Sequence, residues 1–256
     1  DGEEAEGQEG KGARGDATKG QQWGSGASGE LSKKVAIIGG GPAGLTAAYR
    51  LGLMKYQVTI FESLPVLGGM MSVGIPEYRL PKDILNEEIS HILKAGNIEI
   101  KTNSKVGKDV SFDDIKKNFD AVFISVGAHQ STALHIPGED KEGVIAGTDF
   151  LRKLNLGEDM SDIAGKRVAV IGGGNCAIDV ARSAVRLGAS EVHILYRRRR
   201  QDMPAYPEEI EQAEKEAIQL HFLLTPIEVL SSNGRVNALR CQLMKLEDDN
   251  KLSSFD

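Results

Sequence analysis

Val35-Ala-Ile-Ile-Gly-Gly-Gly-Pro-Ala-Gly-Leu45 is a short apolar run that breaks into glycine, with Gly39, Gly41 and Gly44 spaced as G-x-G-x-x-G. The pattern reads as strand, tight turn and helix start. A turn of this kind aims backbone N–H groups at a phosphate, and the helix dipole adds attraction for negative charge. Gly39 permits the turn, Gly41 lets the phosphate approach, and Gly44 lets the helix pack close to the strand. The run Lys34–Ile38 reads as a buried parallel strand, and Ala43–Leu53 carries apolar residues at helical spacing. Gln57-Val-Thr-Ile-Phe61 reads as a second strand and ends at Glu62. Glu62 follows Gly39 by 23 positions, near the roughly 20 expected of an acid that binds a ribose hydroxyl.

The unit occurs twice. Lys166-Arg-Val-Ala-Val-Ile-Gly-Gly-Gly-Asn-Cys-Ala-Ile-Asp179 repeats the strand and turn, with Gly172, Gly174 and Ala177 as G-x-G-x-x-A. A helix over Ala177–Leu187 and a strand over Glu191–Tyr196 follow. Two such units form an internal repeat and imply two dinucleotide sites. They differ where the second strand ends. The first copy ends in Glu62, the second in Arg197-Arg-Arg-Arg200. A carboxylate suits a free ribose 2′-hydroxyl, and guanidinium suits a 2′-phosphate, while the arginine run also reads as a solvated basic loop. The first site therefore reads as one for FAD and the second as one for NADP(H).

Composition narrows the remaining classes. The chain has 256 residues, 40% of them hydrophobic, enough for about two domains. A net charge of −6 argues against nucleic acid as the main partner. No apolar run reaches membrane-spanning length, and no secretory signal is visible, so a cytoplasmic location and no membrane partner are expected. Two cysteines, Cys176 and Cys241, are too few for an iron–sulfur cluster or a disulfide framework, and they form no C-x-x-C. Residues 1–30, rich in Gly, Glu, Gln, Lys and Ser, read as a disordered linker.

Between the two units, Leu67-Gly-Gly-Met-Met71 offers either a second close approach of backbone to a nucleotide, through Gly68, Gly69 and Met70, or an ordinary turn. Arg79, in the loop Gly74-Ile-Pro-Glu-Tyr-Arg-Leu-Pro81, reads as a contact to a phosphate or flavin edge or as a solvated side chain. Residues 83–95 read as a helix with Ile84, Leu85, Ile89, Ile92 and Leu93 on one stripe and His91 at the surface beside it. Asp120-Ala-Val-Phe-Ile-Ser-Val-Gly127 reads as a clean buried strand whose terminal Gly127 presents backbone to a ligand. Further on, Pro207–Glu216 reads as a helix, Leu220–Leu224 and Pro226–Leu230 as strands, Asn233-Gly234 as a hairpin turn and Arg235–Leu246 as a returning strand. Cys176, in the second glycine turn, reads as a small packing residue rather than a nucleophile. The polar stretch from Glu247 to Asp256 reads as a turn.

These motifs resemble the small (beta) subunit of NADPH-dependent glutamate synthase and its relatives, among them the flavoprotein part of dihydropyrimidine dehydrogenase and the large subunit of electron-bifurcating ferredoxin:NADP oxidoreductase. The resemblance rests on Gly39–Gly44, Leu67–Met70, Gly74–Pro81, Asp120–Gly127, Ile136-Pro-Gly-Glu139, Gly172–Asn175, Tyr196–Arg198 and Met203-Pro-Ala205. It implies an α/β fold of two Rossmann-type domains, a discontinuous FAD domain and an inserted NAD(P) domain. Their expected ranges are residues 31–130 and 131–256, with the second incomplete and the chain truncated at its C-terminus. By matching motif, Gly41, Pro42, Ala43, Gly44, Leu45, Glu62, Gly68, Gly69, Met70, Arg79 and Val106 are implied to line FAD. Gly173, Gly174, Asn175, Cys176, Arg197 and Arg198 are implied to line NADP(H). The implied activity is electron transfer from NADPH through flavin to an iron–sulfur partner or larger catalytic subunit, with any iron–sulfur cluster on that partner or in a domain missing from the chain. No metal ligand and no catalytic side chain is expected. The rival expectation is a nucleotide-binding or docking fragment that no longer turns over.

Overall fold

The computed structural model describes residues 33–246 and 252–254; the linker expected over residues 1–30 lies outside them. The first lobe opens with β1 (Lys34–Ile38), α1 (Pro42–Leu53) and β2 (Gln57–Phe61). A short α2 (Met70–Val73), α3 (Lys82–Leu93), β3 (Ile98–Lys101), α4 (Phe112–Asn118) and β4 (Ala121–Ile124) complete it. Its sheet is parallel, in the order β3-β2-β1-β4. Side chains alternate across β1. Ile37 joins Leu45, Val58, Ile60, Leu85 and Ile89 on the face covered by α1 and α3. Ala36 and Ile38 join Phe61 and Ile115 on the face covered by α4. Burial on both faces is why the strand has almost no polar residue.

The second lobe contains α5 (Gly147–Asn155), β5 (Arg167–Ile171), α6 (Asn175–Arg186), β6 (Glu191–Tyr196), α7 (Pro207–Lys215) and β7 (Gln219–Phe222). Its sheet is also parallel, in the order β5-β6-β7. Ile178, Ala181 and Ala184 of α6 are fully buried against Val192 and Ile194 of β6 and the apolar residues of α5 and α7. A third, antiparallel sheet follows, built from β8 (Leu224–Ser232), β9 (Arg235–Leu246) and β10 (Leu252–Ser254). Asn233 and Gly234 both hold positive φ at its hairpin turn, as the Asn-Gly pair requires. The segment between β4 and α5 docks on this hairpin: Val229 donates to the Pro137 carbonyl, Glu142 donates to the Gly234 carbonyl, and the Glu142 carbonyl accepts from the Val236 N–H.

Three expectations need correction. β4 is not buried: Phe123 and Ile124 are 42% and 59% exposed. A continuous apolar run reads as a strand covered on both sides, but among the described strands β4 pairs only with β1 and stands at the sheet edge. Ile84 also leaves the apolar stripe and is exposed in the first turn of α3, where Leu85 and Ile89 supply the buried contacts. The C-terminal stretch is not wholly a turn, because Leu252–Ser254 pairs back on the unpaired edge of β9.

Candidate functional site

In the first lobe, the register Ile38↔Phe61 and Ile38↔Ile124 brings three strand ends side by side. Gly39, Glu62 and Ser125 therefore meet at one point. Gly39 has φ +107, and a β-carbon there would run into the Ser125 carbonyl. A β-carbon on Gly44 would run into the Gly39 carbonyl. The third glycine of the motif is thus the price of seating α1 directly on the strand end. Ser125 closes the junction by donating its hydroxyl to the Gly39 carbonyl at 3.0 Å and its backbone N–H to Ile38 at 2.8 Å.

Glu62 is 6% exposed. Its carboxylate accepts from the Gly40 N–H at 2.7 Å, the Leu64 N–H at 2.8 Å and the Ser63 hydroxyl at 3.1 Å. Three donors fix the group but leave lone-pair capacity for a ligand hydroxyl. The Leu67–Met70 segment folds over the same turn. Gly68 donates to the Gly40 carbonyl at 2.8 Å, and a β-carbon on Gly69 would lie 2.8 Å from the Gly41 α-carbon. Two glycine backbones therefore touch, and the segment packs directly on the first glycine turn. The N-cap of α1 is Gly41, which offers no side-chain cap.

A cleft of about 360 Å³ opens above this junction. Of the residues singled out in the sequence, Gly39, Gly41, Pro42, Ala43, Glu62, Gly69, Met70, Val106 and Gly127 line it. Gly44 and Leu45 do not, since both are buried beneath the turn. Gly68 supports the wall from behind. Arg79 is absent from the wall and reaches the second lobe instead: its Nη1 meets both carboxylate oxygens of Asp179 at 2.7 and 2.9 Å. Asp179 is 4% exposed, and a carboxylate so buried requires a counter-charge. Ser63, Ser104, Lys105, Ser125 and His129 also line the cleft. Ser125, two residues before Gly127 at the end of an apolar run, was the one with a signal in the sequence; the others sit in loops without periodicity. A separate hollow of about 440 Å³ lies between β2, β3 and α4, on the far side of the sheet from α1.

In the second lobe, the register Ile171↔Leu195 sets the turn Gly172-Gly-Gly174 beside Tyr196–Arg198. Gly172 has φ +135, and Gly174 caps α6 with no side-chain partner. The Asn175 side chain accepts from the Tyr206 N–H at 3.0 Å and pins the following loop across the turn. Cys176 is exposed as a residue, yet its sulfur faces the small Gly147. Burial, and then the Asp179 charge, push its thiol up, so it is a poor nucleophile. The four arginines divide. Arg199 binds Asp202 at 2.9 Å and Arg200 binds Glu214 at 2.8 Å. Arg197 and Arg198 form no ion pair among the described residues, and the Arg198 Nε is buried without a partner. None of the second-lobe turn lines the first-lobe cleft.

The chain matches the family model of pyridine nucleotide-disulphide oxidoreductases over residues 33–241. It belongs to that family. Both of its cysteines, Cys176 and Cys241, are free. It is 52% identical over 216 residues to the NADP(+)-dependent formate dehydrogenase subunit beta of Moorella thermoacetica, covering 84% of this chain and 30% of that protein. It is 44% identical to the NADPH-Fe(3+) oxidoreductase subunit beta of Geobacter sulfurreducens, with 85% and 33% covered. It is 36% identical to the glutamate synthase [NADPH] small chain of Escherichia coli, with 82% and 47% covered. The chain thus spans between about a third and a half of these relatives. Among solved structures, Mycobacterium tuberculosis FprA in complex with NADPH superposes with a TM-score of 0.74 at 22% identity, covering 88% of this chain and 67% of that one. Thioredoxin reductase from Lactococcus lactis gives 0.63 at 21%, covering 88% and 74%. At these identities the structures establish the shared fold.

Proposed function

We propose that this chain is the nucleotide-handling part of an NADPH-dependent flavin oxidoreductase, with FAD held by the first lobe, residues 31–130, and NADP(H) by the second, residues 131–256. The observation that carries the reading is the contrast between the two turns. One is backed by the buried carboxylate of Glu62, the other by Arg197 and Arg198, which form no ion pair among the described residues while Arg199 and Arg200 do.

The first cleft fits an adenine dinucleotide. Its floor is bare glycine backbone that a β-carbon would fill, and its acid is immobilised by three donors. Gly41, Pro42 and Ala43 present the start of α1, whose dipole favours a pyrophosphate. Glu62 accepts from a ribose hydroxyl, and Gly69 and Met70 close the wall. Bound there, FAD supplies hydride acceptance from NADPH and electron release to a partner. In the second lobe, Gly173, Gly174, Asn175 and Cys176 present the start of α6 to the pyrophosphate. Arg197 and Arg198 hold the 2′-phosphate by charge-assisted hydrogen bonds. No side chain is assigned an acid, base or nucleophile role.

The electron acceptor is proposed to be an iron–sulfur protein or a larger subunit, in the manner of a glutamate synthase small chain. The relatives' names point to several destinations, formate dehydrogenase, Fe(3+) reduction and glutamate synthase among them. The higher identity to the formate dehydrogenase subunit weighs toward a partner other than glutamate synthase. No described helix is long and apolar enough to cross a membrane, in keeping with a proposed cytoplasmic location. Anaerobic titration of the purified chain tests the proposal. A yellow protein whose flavin bands bleach with NADPH, and much less with NADH, is the expected result. A colourless protein that still captures a partner subunit would replace it with the docking-fragment reading.

A further inference from the structure

Three arginines and three acids join the lobes in one electrically balanced cluster. Arg79 binds Asp179 at 2.7 Å and Glu209 at 3.3 Å. Arg182 binds Glu209 at 2.5 Å and Glu216 at 2.8 Å, and Arg186 binds Glu216 at 2.7 Å. Beneath them, the Tyr78 ring lies 4.7 Å from the Arg182 guanidinium and 4.1 Å from that of Arg186. Only Tyr78 and Arg79 belong to the first lobe; every other member is on α6, on α7 or just beyond it. The Tyr78 and Ser183 hydroxyls are buried together in the contact.

The position of this cluster matters more than its size. Asp179 stands four residues along α6 from Asn175, one helical turn from the second glycine turn. Tyr78 and Arg79 lie in the short segment after α2, whose N-cap is Gly69, the residue that touches Gly41. The segment is itself rigid. Pro76 is fully buried, its carbonyl accepts from the N–H groups of Arg79 and Leu80, and the Lys82 ammonium ties the carbonyls of Met71 and Ile75. A second tie runs in parallel, from the Asn155 amide on α5 to the Val73 carbonyl on α2 at 3.1 Å. The contact therefore connects, through short stiff elements, the two helices that start at the two glycine loops.

We propose that Arg79 is a positioning residue: with Tyr78 it clamps α6 to the first lobe and so sets the orientation in which the NADP(H) turn is presented to the flavin cleft. This rests on the function proposed above. Arg79 binds neither nucleotide; it acts through Asp179. A lysine cannot replace it, because one ammonium does not span Asp179 and Glu209 as the guanidinium fork does.

The test uses the full chain with Arg79→Ala, Arg79→Lys and the isosteric Asp179→Asn. Hydrogen exchange of the amides in 74–81 and 179–186 should quicken at least about tenfold in Arg79→Ala and Asp179→Asn, with β1, β2 and β5 unchanged. NADP+ affinity by equilibrium titration should stay within about threefold. Flavin reduction by saturating NADPH in a rapid-mixing experiment should slow at least about tenfold, with Arg79→Lys between wild type and Arg79→Ala. Unchanged exchange in α6, or an unchanged reduction rate, overturns the clamp. Loss of bound flavin from Arg79→Ala but not from Asp179→Asn also overturns it, by putting Arg79 on the flavin. If Arg79→Ala does not fold, Asp179→Asn carries both readouts. A wild-type chain that NADPH does not bleach defeats the functional reading instead, and the positioning role with it, while the exchange data still decide whether the lobes are clamped.

Discussion

Gly44 and the arginine pair show what single residues contribute. The backbone of α1 approaches β1 so closely that a methyl group on Gly44 meets a carbonyl that has no freedom to move. Gly44→Ala should therefore cost at least about 1–3 kcal/mol, the usual penalty of overpacking, and should deplete flavin from the purified protein. Denaturant unfolding together with the absorbance ratio of flavin to protein checks this; a variant of unchanged stability would mean that the turn relaxes freely. Arg197 and Arg198 are set apart from Arg199 and Arg200 by a short 3₁₀ turn in which Asp202 binds Arg199 through side chain and backbone. Removing one charge-assisted bond to a 2′-phosphate costs about 1.5–3 kcal/mol. Arg197→Ala and Arg198→Ala should each lower kcat/KM for NADPH by about 10- to 100-fold and leave NADH nearly unaffected. The ratio of the two cofactors' kcat/KM values reads the effect. Equal losses for both would remove the 2′-phosphate assignment.

At the scale of elements, α6 and α7 are stapled by Glu216, which lies just past the end of α7 and takes both Arg182 and Arg186. Hydrogen bonding to Arg186 first, with further help from Arg182, brings its carboxyl from the ordinary 4.5 down to about 2. A depressed folded pKa means that the stabilisation is present above about pH 4.5 and is lost as pH falls toward 2. Glu216 is 21% exposed, so the contribution at neutral pH is on the order of 3 kcal/mol at most. Glu216→Gln should lower stability at pH 7 and flatten the acid limb between pH 4.5 and 2 in urea unfolding. A parallel loss at both ends of that range would show that the charge is not responsible. Asp179 runs the other way. Burial lifts its carboxyl above the usual range in spite of Arg79, so its protonated form gains on folding and its contribution fades as pH rises. β4, in contrast, has apolar residues open at a sheet edge.

For the molecule as a whole, the ion cluster between the lobes carries a cost that isolated surface pairs do not. Taking away one member of a buried pair strands the other, at about 3–5 kcal/mol. Replacing both by apolar side chains of similar size removes the stranded charge. Arg79→Ala should therefore be more destabilising than the double variant Arg79→Met/Asp179→Leu, although the double variant changes more. Urea midpoints of the two proteins decide the matter, and the expectation fails if the double variant is the weaker. Flavin reduction should be slow in both, because neither keeps the clamp.

Much of this was legible in the chain because its causes are local. Alternation and apolar runs placed β1, β2, β5 and β6, and the glycine spacings placed both turns, since sterics within a few residues permit little else. The acid after β2 and the arginines after β6 could be matched to their turns because parallel pairing of adjacent strands brings their ends together. What the residues could not announce was anything that depends on partners far along the chain. Arg79 reads equally well as a phosphate ligand until the fold brings Asp179, 100 positions away, into contact. Which of the four arginines pair depends on where Asp202 and Glu214 end up. The exposure of β4 follows from its place in the sheet order and not from its composition. Local geometry is written in consecutive residues; the choice of an ionic partner is a competition among all charges brought near, and only the folded arrangement of the two lobes settles it.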